Sequence, residues 1–205
     1  MPDIIEALGR RRARRAFDPR PIPDDVENAL WQAVLVAPSQ GNTQPTRVLV
    51  PRSEETRAAL VASLSEGNRG WAPVAPLLAA IASIPSHDFT VKNSDGSERE
   101  LWAFNAGIAV GNLMAQATAM GLVAHPMGAF DEVGVRDAFC APDDLRILVV
   151  VAIGYPGEVD SLPPDLQTKE VAGQDRLPIE NLVAEDRWTP EHGISARDLK
   201  KRRQA

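Results

Sequence analysis

Five arginines fall within six positions, Arg10 to Arg15, in the stretch GRRRARRAF at residues 9–17. The chain as a whole carries a formal net charge of −6, so this positive knot is local. Like charges in a row repel, and a fold that keeps them together has an anion to place among them. Three anions are open: a nucleic acid, a small phosphorylated ligand, or the protein's own carboxylates. In an extended backbone alternate side chains face opposite sides. Arg11, Ala13 and Arg15 then share one face, and Arg10, Arg12 and Arg14 the other. A run divided in this way suits a compact phosphate better than a long polymer, because the planar guanidinium fork matches phosphate oxygens in pairs. The plain alternative is a solvated basic turn that pairs with neighbouring acids.

A second cluster lies in APSQGNTQP, residues 37–45. Ser39, Gln40, Asn42, Thr43 and Gln44 bring donors and acceptors together just after a predicted helix. A polar loop of no further purpose would look the same. Side-chain amides nevertheless suit the edge of an uncharged heteroaromatic ring, where donors and acceptors alternate. Phosphate at one end and such a ring at the other describe a nucleotide-like cofactor.

Other residue types point nowhere in particular. His87, His125 and His192 have no metal-ligand spacing, so no metal site is expected. Cys140, in DAFCAP at a helix end, reads as a buried structural thiol. There is no G-x-S-x-G, no G-x-x-x-x-G-K and no G-x-G-x-x-G after a strand, so hydrolase, NTPase and Rossmann readings have no local support. The basic end, Lys200 to Arg203, reads as a solvated tail.

These residues are carried by a chain of 205 residues, 44% hydrophobic and 24% charged, with a single cysteine. That is enough for one domain with a real core, or for one subunit of an intertwined oligomer. Net acidity argues against a general nucleic-acid binder. One cysteine allows no intrachain disulfide, and MPDIIEALG does not read as a signal peptide. A cytoplasmic protein is expected.

The elements that must position the two clusters follow from periodicity and caps. Asp3 with Glu6 opens a short helix over 3–9 that Gly9 ends. Pro23, Asp24 and Asp25 begin a helix with an apolar face of Val26, Leu30, Ala33, Val34 and Ala37, stopped by Pro38. A strand is predicted at 46–50, then a helix from Ser53 to about 65. EGNRGWAPVAP is read as irregular, and LLAAIASI, 77–84, as a buried strand. After a loop with NSDG comes the longest helix, about 99–121, in which Ala103, Gly107, Gly111, Ala115 and Ala119 recur every four residues. Such a row lets another helix approach closely, as at a subunit interface. Asn105, Asn112 and Gln116 break its apolar run, so a membrane span is not expected. A strand at 122–124, a loop HPMGAFD, a helix 132–139 capped by Asp131 and a strand 145–154 complete the pattern. The last fifty residues are rich in proline and lack a core of their own, so they should drape over the same or a partner subunit. About five helices and four strands without strict alternation predict an α+β fold, with a small sheet packed among helices.

Taken together the two clusters resemble the nitroreductase family of FMN-dependent oxidoreductases. RRARRAF, 11–17, is similar to the family's R-R-S-x-R-x-F, and APSQGNTQPT, 37–46, to its A-P-S-x-x-N-x-Q-P-W. Further similar stretches are EGNRGWAPVAP (66–76), GIAVGNLMAQATAMGLVAHPMGAFD (107–131), VVVAIGYPGE (149–158) and RLPIENLV (176–183), in the family's order along nearly the whole chain. The resemblance implies a single α+β domain over 1–205 with a small mixed or antiparallel central sheet. It implies an intertwined homodimer binding FMN at the subunit interface, with residues 155–205 packed on the partner. It further implies that Arg11, Arg12 and the Ala13 amide meet the FMN phosphate or ribityl end, and that Arg15 meets the pyrimidine edge. Pro38, Ser39, Gln40 and Asn42 would reach the flavin from the partner loop, and Asn68 would bond the pyrimidine ring. Pro126, Met127, Gly128 and Ala129 would line the other side of the ring, and Arg176 would return to the phosphate. No side chain is implied as catalytic and no metal is needed. The implied activity is ping-pong transfer of electrons from NADH or NADPH to nitroaromatic, quinone or similar small-molecule acceptors. A flavin-binding protein for storage or sensing is the alternative. The chain departs from the family pattern at Ala13, Thr46 and Gln174.

Overall fold

The structure, a computed structural model, describes residues 4–204, the side chains at 200 and 202–204 excepted. Asp3 of the expected capping pair, and the Lys200, Arg202 and Arg203 side chains of the basic end, lie outside the described residues. The elements in chain order are α1 (Glu6–Arg10), β1 (Phe17–Asp18), α2 (Asp24–Leu35), β2 (Thr46–Leu49), α3 (Glu54–Ser63), α4 (Glu66–Arg69), β3 (Leu77–Ser83), β4 (Thr90–Lys92), β5 (Glu98–Glu100), α5 (Trp102–Ala119), β6 (Val123–Met127), α6 (Glu132–Ala138), β7 (Arg146–Pro156), α7 (Pro164–Val171), α8 (Ile179–Leu182) and α9 (Ala196–Gln204).

β7 organises the sheet. It pairs with β3 from Arg146 to Ile153, with β6 from Val150 to Gly154, and with β1 at Tyr155 and Pro156, while β2 pairs with β3. Every pairing is antiparallel, so the expected small sheet is an antiparallel one. All seven residues of β3 are buried, as expected of a strand covered on both faces. Leu77, Ile81, Val149, Val151 and Ile153 face Leu30 of α2 and Val110, Leu113 and Ala117 of α5. Leu78, Ala80, Ala82, Val150 and Ala152 face Leu60 of α3, Trp71 and Val135 of α6. Between Ile81 and Ala82 the register shifts, so that Ala82 pairs with Ile147 while Ile81 pairs with Val149. This bulge returns Ile147 to the Val150 face. Each fully buried Leu, Ile or Val among them contributes about 1.5–3 kcal/mol relative to exposure.

Two helix caps read from sequence are present. The Thr56 N–H donates to Ser53 Oγ at 3.1 Å, and the Val133 N–H donates to Asp131 Oδ1 at 3.2 Å. Other boundaries moved. β6 extends through Pro126, which the sequence placed in a loop. A proline inside a strand needs its nitrogen turned away from a ladder partner, and β6 pairs with β7 alone. The NSDG loop is the turn of the β4–β5 hairpin. No helix of the described residues is long and apolar enough to cross a membrane.

The chain forms two compact units, residues 1–170 and 171–205. Residues 155–170, expected in the tail, belong to the first unit, where Leu162 and Glu170 are buried. In the second unit a turn at Pro190–Gly193 is closed by the Thr189 N–H donating to His192 Nδ1 at 2.9 Å.

Candidate functional site

Residues 11–16 form no helix or sheet ladder, so their peptide groups need partners from elsewhere. The Glu170 carboxylate, at the end of α7, supplies two of them. It accepts from the Arg15 N–H at 2.9 and 3.0 Å and from the Ala16 N–H at 3.3 Å. The Arg15 guanidinium lies 3.9 Å from the same carboxylate. On the other side, His125 of β6 bonds the Arg14 carbonyl through Nδ1 at 2.8 Å. A carbonyl only accepts, so Nδ1 carries the proton. Burial holds this imidazole below its ordinary pKa, with the Arg15 charge acting in the same direction. Its ring packs on Trp71 with centroids 4.5 Å apart.

The arginines divide as alternation predicts. Arg10, Arg12 and Arg14 line one cleft of about 550 Å³ together with Thr118 and Gly121 at the end of α5, and Arg11 and Arg15 take no part in it. Arg10 pairs with Glu6 at 2.8 Å. Among the described residues, no carboxylate lies within ion-pair distance of Arg11, Arg12 or Arg14. Ala13 is half-buried between them.

β6 carries the next group. Pro126 is half-buried and Gly128 and Ala129, just beyond the strand, are exposed. A Cβ at Gly128 would meet nothing within 4 Å, so its backbone faces open space. Met127 is only 2% exposed. Its side chain belongs to the core, and what it can present to a ligand is backbone. Asn68 of α4 joins this group by donating Nδ2 to the Ala129 carbonyl at 3.4 Å, with no donor to its Oδ1 among the described residues. The His125–Arg14 bond therefore brings the arginine segment to the strand that leads into 126–129 and Asn68.

The loop after α2 is held elsewhere. Gly41, Asn42 and Gln44 all have positive φ, between 49° and 57°, a region that glycine and asparagine tolerate best. The Gln44 N–H donates to Ser39 Oγ at 2.9 Å. The Gln40 N–H donates to Oδ1 of Asn105 on α5 at 3.1 Å, and Asn105 Nδ2 donates to Asp88. Asp88 also accepts from Thr43 Oγ1 at 3.3 Å. Pro38, Ser39 and Asn105 line a second cleft of about 220 Å³ with Trp31 and Val34. Thr46 begins β2 directly behind this loop.

Within one chain these two groups stand apart. Gln40 is tied to Asn105 near the start of α5, whereas Arg12 shares its cleft with Thr118, thirteen residues on. At 1.5 Å per residue that is about 20 Å along the helix. Between them Gly107 and Gly111 are exposed, and a Cβ at either would meet nothing within 4 Å. Exposed Leu35, Val36 and Phe104 add apolar surface. In the second unit Arg176 donates to Gln174 Oε1 at 2.8 Å and to the Asp175 carbonyl at 2.9 Å.

Cys140 is exposed, with φ +50°, rather than buried as its sequence context suggested. No group of three or more metal-ligating side chains occurs among the described residues. Sequence reasoning missed Glu170, Asn105 and Asp88. Glu170 and Asn105 accept from backbone N–H groups far away in the chain, and Asp88 accepts from the distant Thr43 and Asn105 side chains, so no local pattern marks any of them.

The model of the Nitroreductase family matches residues 8–72 and 62–155. A Streptomyces coelicolor protein, to which NADH dehydrogenase/NAD(P)H nitroreductase activity is ascribed by name, is 32% identical over 160 residues, covering 71% of this chain and 79% of its own length. A Bacillus subtilis protein named as an NAD(P)H FMN reductase is 28% identical over 187 residues, covering 85% and 74%. Among solved structures, an oxidoreductase containing FMN matches with a TM-score of 0.79 at 30% identity, over 92% of this chain and 94% of that one. The FMN complex of an Exiguobacterium sibiricum protein shares the fold, with a TM-score of 0.72 at 19% identity over 91% and 98%.

Proposed function

The chain belongs to the nitroreductase family, and from that premise we propose that it is a homodimeric, ping-pong reductase of nitroaromatic, quinone or similar electron-poor small molecules. The broader activity is that of an FMN-dependent NAD(P)H oxidoreductase. The residues present fit FMN. Arg11, Arg12 and Arg14 lack carboxylate partners among the described residues of an acidic chain, which is the condition of a site built for a phosphate. Gly128 presents open backbone, as a close approach by a planar ring requires.

FMN held by these residues would supply two-electron chemistry between NAD(P)H and the second substrate. The chain's own groups bind and orient. Arg11 and Arg12, with the Ala13 amide, hold the phosphate and ribityl end. Arg15 turns its charge toward the pyrimidine edge and favours the electron-rich state of the ring. Asn68 offers Oδ1 to a ring N–H, its Nδ2 being taken by Ala129. Pro126, Met127, Gly128 and Ala129 shape the opposite side through backbone. Pro38, Ser39, Gln40 and Asn42 serve the partner's flavin. Their separation from the arginines along α5 is what supports a two-chain site, since a second copy laid on the exposed Gly107–Gly111 face can bring one chain's loop to the other's arginines.

The observation that carries the reading is the His125–Arg14 bond of 2.8 Å, which brings the arginine segment to the strand leading into 126–129. Initial rates against NADH or NADPH at several fixed concentrations of a quinone test the mechanism. Parallel double-reciprocal lines are expected; intersecting lines would require both substrates to be bound at once and would overturn it.

A further inference from the structure

The Arg14 carbonyl and the Arg15 N–H belong to one peptide group. His125 Nδ1–H holds the carbonyl end at 2.8 Å, and Glu170 holds the N–H end at 2.9 and 3.0 Å. In a trans peptide the two ends point in opposite directions, so the plane is gripped from both sides. We propose that this clamp is the mount that aims the Arg15 guanidinium at its ligand, and that Glu170 and His125 are positioning residues for FMN binding. The inference rests on the proposed placement of Arg15 at the flavin.

Three features favour a clamp over a carboxylate that merely satisfies stray donors. The segment has no ladder of its own until Phe17, and among the described residues His125 and Glu170 are the hydrogen-bond partners of this peptide's two ends. The Glu170 side chain is fully buried, and a carboxylate is costly to bury unless it is paired and bonded. It meets both conditions at Arg15, through the backbone N–H and the guanidinium 3.9 Å away. The opposite grip is also buried: His125 is 9% exposed and its ring packs at a tilt of 41° against Trp71. A pinned peptide fixes the direction in which the Arg15 side chain leaves the backbone. The Arg15 side chain, about a quarter exposed and with its guanidinium 3.9 Å from Glu170, is left with few alternatives, and less ordering remains to be done when a ligand binds.

A double-mutant cycle on FMN affinity, measured by titrating the apoprotein and following flavin fluorescence, tests this directly. Glu170→Gln keeps the shape but sets an amide NH2 against a backbone N–H. It should weaken FMN binding by roughly tenfold or more while the protein stays folded. Glu170→Asp, which keeps the carboxylate one methylene further back, should recover part of the loss. The decisive arm is Arg15→Ala with Glu170→Gln, which should bind FMN no worse, within about twofold, than Arg15→Ala alone. Losses that multiply would assign Glu170 a general structural role and overturn the inference. If Glu170→Gln does not fold, His125→Phe keeps the ring on Trp71 and removes the donor, and the same non-additivity with Arg15→Ala is expected. Arg15→Ala weakening FMN while Glu170→Gln and His125→Phe leave it unchanged would defeat the clamp alone. Unchanged affinity in Arg15→Ala would defeat the placement of Arg15 at the flavin, and the clamp with it.

Discussion

Arg11 is half-buried and meets no carboxylate among the described residues, so its charge is available to a ligand. A charge-assisted pair is worth about 1.5–3 kcal/mol. Arg11→Ala is therefore expected to weaken FMN binding by about tenfold to a hundredfold, with little change in melting temperature; unchanged affinity in an apoprotein titration would remove Arg11 from the site. Much of the arginine segment was legible in the sequence because extended backbone alternates, and Arg10, Arg12 and Arg14 do share a cleft that Arg11 and Arg15 do not line. Alternation could not show what holds the segment in place. Glu170 is 155 residues from Arg15, and nothing in TKEVAG distinguishes it from a solvated helix carboxylate. Met127 illustrates the opposite limit: a motif can mark a position without showing that its side chain turns inward.

α5 connects the two halves of the proposed site, and Asn105 is where it holds the loop. Asn105 is 2% exposed, and losing it takes the acceptor from the Gln40 N–H and one of three donors from the Asp88 carboxylate, which keeps Thr43 Oγ1 and the Phe89 N–H. Gln40 is exposed and Asp88 half-buried, so water can replace part of what is lost and the cost is that of ordinary hydrogen bonds, about 0.5–1.5 kcal/mol. Asn105→Ala should lower the denaturant midpoint by a corresponding amount and weaken FMN binding in the same protein. Loss of stability with full FMN affinity would show that the loop needs no anchor. In the sequence Asn105 appears only as an interruption of an apolar helix. The helix itself, β3, β7 and the Ser53 and Asp131 caps were legible, because period and cap chemistry are local signals. β1 and the β4–β5 hairpin were not: two- and three-residue strands are defined by their partners rather than by their own pattern. α2 ends at Leu35, before Pro38, in keeping with the disfavoured helical state of the residue preceding a proline.

The molecule joins an antiparallel α+β body to a second unit, residues 171–205. The low periodicity of the last fifty residues gave no sign of where the first unit ends. Leu162 and Glu170 enter the first unit through tertiary contacts that a proline-rich sequence does not advertise. The same limit applies to assembly. A row of small residues on α5 marks a surface fit for close approach, and Gly107 and Gly111 do stand exposed; the separation of loop and arginines along that helix makes a second chain part of the proposed site. The claim on which all of this depends is that the chain holds a flavin and reduces it with a nicotinamide. The most direct measurement is the visible absorption spectrum of the FMN-loaded protein before and after anaerobic addition of NADH or NADPH. The account predicts flavin bands that bleach on addition of at least one of the two. Bands that persist with both would contradict it and leave a protein that binds flavin without turning it over.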